Sequence, residues 1–185
     1  MTVLDFDDFT AEQWQVDLIH QLRQAVPDVR LTLFTILGQI SEQALQEWAE
    51  LPWVEIAAHG WDHTRKECAR WGVEESRDYI RKLAQWDFIN GFKAPYWQGN
   101  SVLYKELKDV GYWVADNIRY SGRHQSLDKV YMYNCRCGSC RSCTYKRVHG
   151  HIPNVCGNGL EECMDRYSAL QGPFMTISEV MEWQE

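Results

Sequence analysis

The chain has 185 residues, of which 45% are hydrophobic and 24% charged, and its formal net charge is −7. That length and composition suit one globular domain with a sizeable core. An acidic balance argues against non-specific binding to nucleic acid or to an anionic membrane, and no run of about 18 apolar residues offers a transmembrane helix.

Residues 2–6 alternate and end in acids, as a short strand would. Thr10 followed by Gln13 fits a capping box for a helix that runs to about Val26, where Pro27 stops it. Residues 29–37 are rich in β-branched and apolar side chains and read as a buried strand. Ser41 caps a second helix through Glu50, Pro52 breaks it, and residues 54–58 form a short apolar strand. Residues 74–89 place Tyr79, Leu83 and Trp86 at helical spacing. A brief strand follows at 91–94, then a helix capped by Ser101 and ended by Gly111, then a strand at 112–115. Beyond a loop-rich stretch come strands near 130–133 and 145–149, a helix near 160–170, a strand at 174–177 and a final helix from Ser178. Strand and helix alternate throughout, which predicts a parallel sheet covered by helices in an α/β domain. An open doubly wound sheet and an incomplete barrel both fit this pattern. The N-terminal segment carries acids where a signal peptide needs a basic and then an apolar stretch, so the expected location is cytoplasmic.

Three segments that follow strands carry chemistry, and in parallel α/β folds the C-terminal ends of the strands open into one crevice. Asp5-Phe6-Asp7-Asp8 alternates, so Asp5 and Asp7 share one face; a turn at Asp7 lets Asp8 reach the same site. Adjacent acids suit the ligation of a cation by one and the acceptance of a proton by the other, or more simply a helix-entry loop. His59-Gly60-Trp61-Asp62-His63 sets two imidazoles four residues apart, which one helical turn would bring together. His149-Gly150-His151 supplies either a general acid or further ligands.

In this order the acid pair, the His pair and the late His resemble the polysaccharide deacetylase (NodB-like, carbohydrate esterase) family. Asp5-Phe6-Asp7-Asp8-Phe9 stands where that family has T-F-D-D-G, and His59 to His63 where it has H-[ST]-x-x-H. Lys93-Ala94-Pro95-Tyr96 stands where it has R-x-P-Y. Gly111-Tyr112 followed by Asp116 looks like its fourth motif, and the stretch from Val148 to His151 like its last. The resemblance implies an irregular (β/α)7-type barrel of parallel strands spanning residues 1–185. It implies that Asp8, His59 and His63 bind a divalent cation, with zinc expected first and cobalt, nickel or manganese as alternatives. It makes Asp7 the general base and His151 the general acid, with His149 as the fallback. Lys93 and Asp116 join the catalytic set, and the Tyr96 backbone N–H holds the oxyanion. The implied reaction is hydrolysis of a C–N amide bond, most simply removal of acetyl from an N-acetylated sugar or glycan. The chain departs from the family at Asp5, Phe9, Gly60 and Lys93, where the family has Thr, Gly, Ser or Thr, and Arg.

Cys135, Cys137, Cys140 and Cys143 form an insertion near residues 134–144 that the family pattern lacks. Their spacing fits a second, structural zinc site, a reduced loop or disulfides. A non-catalytic zinc-binding module, whose Cys-rich basic loop contacts nucleic acid or protein, is therefore a second reading of the chain. A hydrolase of small non-sugar amides on the same metal site is a third.

Overall fold

Strand alternation sorts the side chains of this protein into two cores. In the computed structural model residues 1–115, 130–131, 146–155 and 159–183 are described. Asp116, the four clustered cysteines and the insertion around them lie outside the described residues, so the expectations placed on them rest on sequence alone.

The strands are β1 (Thr2–Phe9), β2 (Leu31–Thr35), β3 (Val54–Ala58), β4 (Gly91–Lys93), β5 (Trp113–Ala115), β6 (Val130–Tyr131), β7 (Lys146–His151) and β8 (Phe174–Met175). The helices are α1 (Gln13–Ala25), α2 (Glu42–Ala49), α3 (Val73–Leu83), α4 (Ser101–Asp109), α5 (Met164–Ser168) and α6 (Ile177–Trp183). All pairings are parallel, in the order β6-β5-β4-β3-β2-β1-β7, with β8 beside the start of β1. Neighbours follow chain order from β6 back to β1 without the reversal of a doubly wound sheet. The fold is thus an incomplete parallel barrel, and no pairing between β6 and β7 closes it among the described residues.

Leu4, Phe6, Leu33, Ile56, Phe92 and Val148 lie on the outer face and form the main core with Ile19, Leu22, Leu83 and Leu107 of the helices. Their neighbours in the chain point inward. Val3, Phe34, Ala57, Trp113 and Ala115 make a second, smaller core, which Ile177 and Val180 of α6 complete. α6 therefore covers the inner face at the end where the strands begin. The Glu55 carboxylate fixes it, accepting from Ile177 N at 2.9 Å, Ser178 N at 3.1 Å and Thr32 Oγ1 at 2.6 Å. Burial pushes the Glu55 carboxyl above its ordinary value despite these bonds. No helix among the described residues is long and apolar enough to cross a membrane.

Several local expectations change. The Thr10 capping box is absent: α1 starts without a side-chain cap, and the Thr10 hydroxyl pairs with Gln15 Oε1 at 3.2 Å. The cap of α4 is Asn100, accepting from Leu103 N at 2.9 Å, one residue before Ser101. α3 stops at Leu83 rather than continuing to residue 89, because the chain closes tight turns at Trp86 and Ile89 to enter β4. β7 continues to His151, paired beside Asp7 of β1.

Trp113 fills the inner face over Gly91, and its Nε1 donates to Ser178 Oγ at 2.8 Å. A Cβ on Gly91 would lie 2.0 Å from Trp113 Cζ2, whereas one on Gly111, at φ +90°, would meet nothing within 4 Å. Gly91→Ala is expected to cost about 2 kcal/mol or more through overpacking, and Gly111→Ala about 1 kcal/mol through backbone strain. Urea unfolding of both variants checks this; equal costs would contradict the placement of Trp113.

Candidate metal centre

The site lies at the C-terminal ends of β1, β3, β4 and β7. Simple alternation would send Asp8 outward with Phe6. The pairing of β1 with β2 shifts register between Phe6 and Phe9, and Asp8 adopts φ 68°. This bulge turns Asp8 back to the side of Asp7. Asp tolerates the left-handed region better than most residues. The buried Gln15 side chain pins the segment, donating to Asp8 O at 3.1 Å and accepting from Thr10 N at 2.8 Å.

The two histidines converge through a loop, not through the helical turn expected from their spacing. Gly60 takes φ 73° and His63 φ 57°. A Cβ on Gly60 would lie 2.7 Å from Pro95 Cγ, so both the backbone conformation and the close approach demand glycine. Glu67 Oε1 holds the loop by accepting from Trp61 N at 2.7 Å and Asp62 N at 3.3 Å. The imidazole centroids end 5.0 Å apart, and His63 packs on the Tyr96 ring.

The hydrogen-bond inventory of this group points to a cation. His59 Nδ1 lies 2.9 Å from the Lys93 carbonyl, which can only accept, so Nδ1 carries a proton and Nε2 is the ring nitrogen left to bind a cation. Nε2 faces Asp8 Oδ1 at 3.5 Å. His63 Nε2 lies 2.9 Å from the same oxygen, yet Asp8 Oδ1 is buried without a well-aligned hydrogen bond. Burial pushes the Asp8 carboxyl up, but His59 and His63 outweigh this and hold it well below the ordinary range. A permanent carboxylate facing two imidazole nitrogens is the donor set of a divalent-cation site. Burial acts to lower His63, and Asp8 more than reverses this, so a bound cation would displace a proton there.

Asp7, His149 and His151 form a second group of three donors. Its centre already holds a charge. Lys93 is fully buried, with Nζ 2.6 Å from both Asp7 carboxylate oxygens and 3.4 Å from His149 Nε2. The ammonium lies 4.0 Å from the Trp97 ring centroid and 4.9 Å from that of Phe34. Burial raises the Asp7 carboxyl, while Lys93 and then the surrounding imidazoles bring it below the ordinary value. His149 Nδ1 is joined to Asp5 Oδ1 at 2.8 Å. His151 Nε2 lies 3.7 Å from Asp7 Oδ2, and burial pushes its imidazole down to about 4.

Asp7, Asp8, His59, His63, Tyr96 and His151 line one cleft of about 690 Å³, together with Arg65, Trp97, Gln98 and Val155. Of the residues expected at the site, Lys93 stands behind Asp7 rather than on the cleft wall, and His149 also lies off the wall. Sequence reading gave no role to Glu67, Gln15, Arg65 or Gln98. It placed Asp5 on the face of Asp7 without a partner, although alternation on β7 puts His149 across from it.

The fold recurs among solved structures. The Xyl-CE4 domain of a multidomain xylanase from the hindgut metagenome of Trinervitermes trinervoides matches with a TM-score of 0.62 at 14% identity, over 99% of this chain and 90% of that one. A family 4 acetyl xylan esterase from Clostridium thermocellum, solved with a cobalt ion, matches at 0.62 and 14%, over 100% and 92%. A peptidoglycan deacetylase from Bacillus subtilis matches at 0.62 and 16%, over 100% and 91%. The chain therefore has the parallel-barrel fold of the polysaccharide deacetylases that its motifs resemble. No family model matches it, and no curated protein matches it by sequence.

Lys93→Met strands the buried Asp7 carboxylate and is expected to cost about 3 kcal/mol at neutral pH. In the wild type the lowered Asp7 carboxyl contributes stability that is present above its ordinary value and lost as pH falls through the lowered one. In the variant burial dominates, so the Asp7 contribution is lost instead as pH rises through a raised value. Urea midpoints from pH 4 to 8, measured without added metal, test this. A variant no less stable at pH 7 than at pH 4 relative to wild type would contradict it.

Proposed function

We propose that the chain is a metal-dependent hydrolase of a C–N amide bond that removes acetyl from an N-acetylated sugar or glycan. The observation that carries this reading is His59 Nε2 and His63 Nε2 converging on the Asp8 carboxylate at 3.5 and 2.9 Å, beside a separate buried carboxylate, Asp7, on the same cleft. The shared fold supports it, as does the cobalt ion in one of the acetyl xylan esterases.

Asp8, His59 and His63 would hold the cation. Bound there, it would supply Lewis acidity toward water and the amide carbonyl. The chain's own groups do the rest. Asp7 takes a proton from the attacking water; Lys93 holds its carboxylate ionised and oriented. Asp7 passes that proton to His151, whose Nε2 lies 3.7 Å from Asp7 Oδ2. An imidazole depressed to about 4 is neutral at pH 7, and once protonated it is a strong acid toward the leaving amine. His149, tied to Asp5 and facing Lys93, positions the ammonium. The Tyr96 backbone N–H is the assigned donor to the tetrahedral oxyanion. Trp97 shields Lys93 from water.

Metal analysis of the purified chain, with acetate release from N-acetylglucosamine oligomers, tests the assignment. Wild type is expected to carry one tightly held cation, and His59→Ala to lose it. Asp7→Asn should keep the cation and lose about 100-fold or more in kcat. Undiminished activity in Asp7→Asn would remove the assigned base. A cation lost only on Cys140→Ala would favour the non-catalytic zinc module.

A further inference from the structure

Amide hydrolysis leaves two polar side chains of the cleft unused. Arg65 lies on the cleft wall with Asp8, His59 and His63, and its side chain is exposed. Arg30, Arg77, Arg81 and Lys105 are each paired with a carboxylate. Arg65 makes no ion pair or hydrogen bond among the described residues. It is the only Lys or Arg among the described residues of that wall, since Lys93 is buried behind Asp7. The second side chain is Gln98, whose Oε1 is buried and has no partner. An amide removed from water without a partner is destabilising unless a ligand completes it.

We propose that Arg65 and Gln98 form a second recognition subsite, in which Arg65 takes an anionic oxo group, carboxylate or phosphate, carried by the N-acetylated substrate near the scissile amide, and Gln98 Oε1 accepts from a hydroxyl beside it. This rests on the hydrolase reading above. The guanidinium fork pairs with both oxyanions in the same bidentate geometry. Gln98 Oε1, an acceptor, is completed by a neighbouring sugar hydroxyl, which donates to it. A chain of net charge −7 repels anions as a whole, so an anionic substrate needs a local cation at the mouth of the cleft. Because Arg65 is exposed, the pairing is screened, and its effect is about two- to fivefold.

The test compares three sugars on the zinc-loaded full chain: N-acetylglucosamine, its lactyl-carboxylate counterpart N-acetylmuramic acid, and N-acetylglucosamine 6-phosphate. In the wild type kcat/KM is expected to favour one anionic sugar over the neutral one by about two- to fivefold. Which anion is preferred distinguishes carboxylate from phosphate. Arg65→Gln should abolish the preference, and Arg65→Lys should restore part of it. No preference in wild type, or one that survives in Arg65→Gln, overturns the subsite. If none of the sugars is hydrolysed, calorimetric binding of the same three carries the comparison. An anion preference that depends on Arg65 without turnover then contradicts the hydrolase and keeps the subsite; binding without preference contradicts the subsite.

Discussion

Across the mouth of the barrel an imidazole nitrogen and a carboxylate oxygen, His59 Nε2 and Asp8 Oδ1, face each other at 3.5 Å. The Lys93 carbonyl fixes the His59 tautomer, and the neighbouring imidazoles keep Asp8 ionised. The surrounding structure maintains this arrangement at a cost: a bulge with Asp8 in the left-handed region, a loop that passes through Gly60 and His63 at positive φ, the half-buried carboxylate of Glu67 and the buried one of Asp7. Strain gathered at one point of a regular barrel is the usual mark of a functional site. A divalent cation would take Nε2 of both neutral imidazoles and the Asp8 carboxylate as ligands together.

The barrel interior divides the remaining charge into a buried row. Asp5, His149, Lys93 and Asp7 follow one another at 2.8, 3.4 and 2.6 Å. Lys93 Nζ thus engages two members of the second donor triad, Asp7 and His149. Lys lacks the bidentate fork of Arg, yet Nζ reaches both Asp7 oxygens because the Trp97 and Phe34 rings confine it. The opposite end of the barrel is apolar, sealed by Trp113 and α6. The polar groups therefore concentrate at the rim that opens to solvent.

Much of this was legible in the residues. β-branched runs alternating with helical periodicity gave the parallel α/β order, Ser41 alone of the expected N-terminal caps holds its helix, and odd-numbered alternation on β1 placed Asp5 with Asp7. Periodicity did not choose barrel over doubly wound sheet, because strand order is set by long-range pairing that leaves no trace in it; the resemblance carried by the motifs did. Asp8 was placed correctly, but by a bulge rather than by the end of the strand; bulges appear in the pairing of strands, not in one strand's pattern. The His59–His63 spacing suggested a helical turn and proved to be a loop, since Gly60 supplies a conformation that spacing does not encode. Glu67 and Gln98 gave no sequence signal, because each acts through a backbone group or a cavity formed by distant segments. His149 had a signal that went unused: it faces Asp5 across the β1–β7 register.

The zinc K-edge absorption spectrum of the full chain, loaded with one equivalent of zinc, reads the central claim directly. The structure predicts an inner shell of nitrogen and oxygen alone at about 2.0–2.1 Å, with outer-shell scattering from two imidazoles. A shell dominated by sulfur at about 2.3 Å would place the metal on the cysteines and contradict the account.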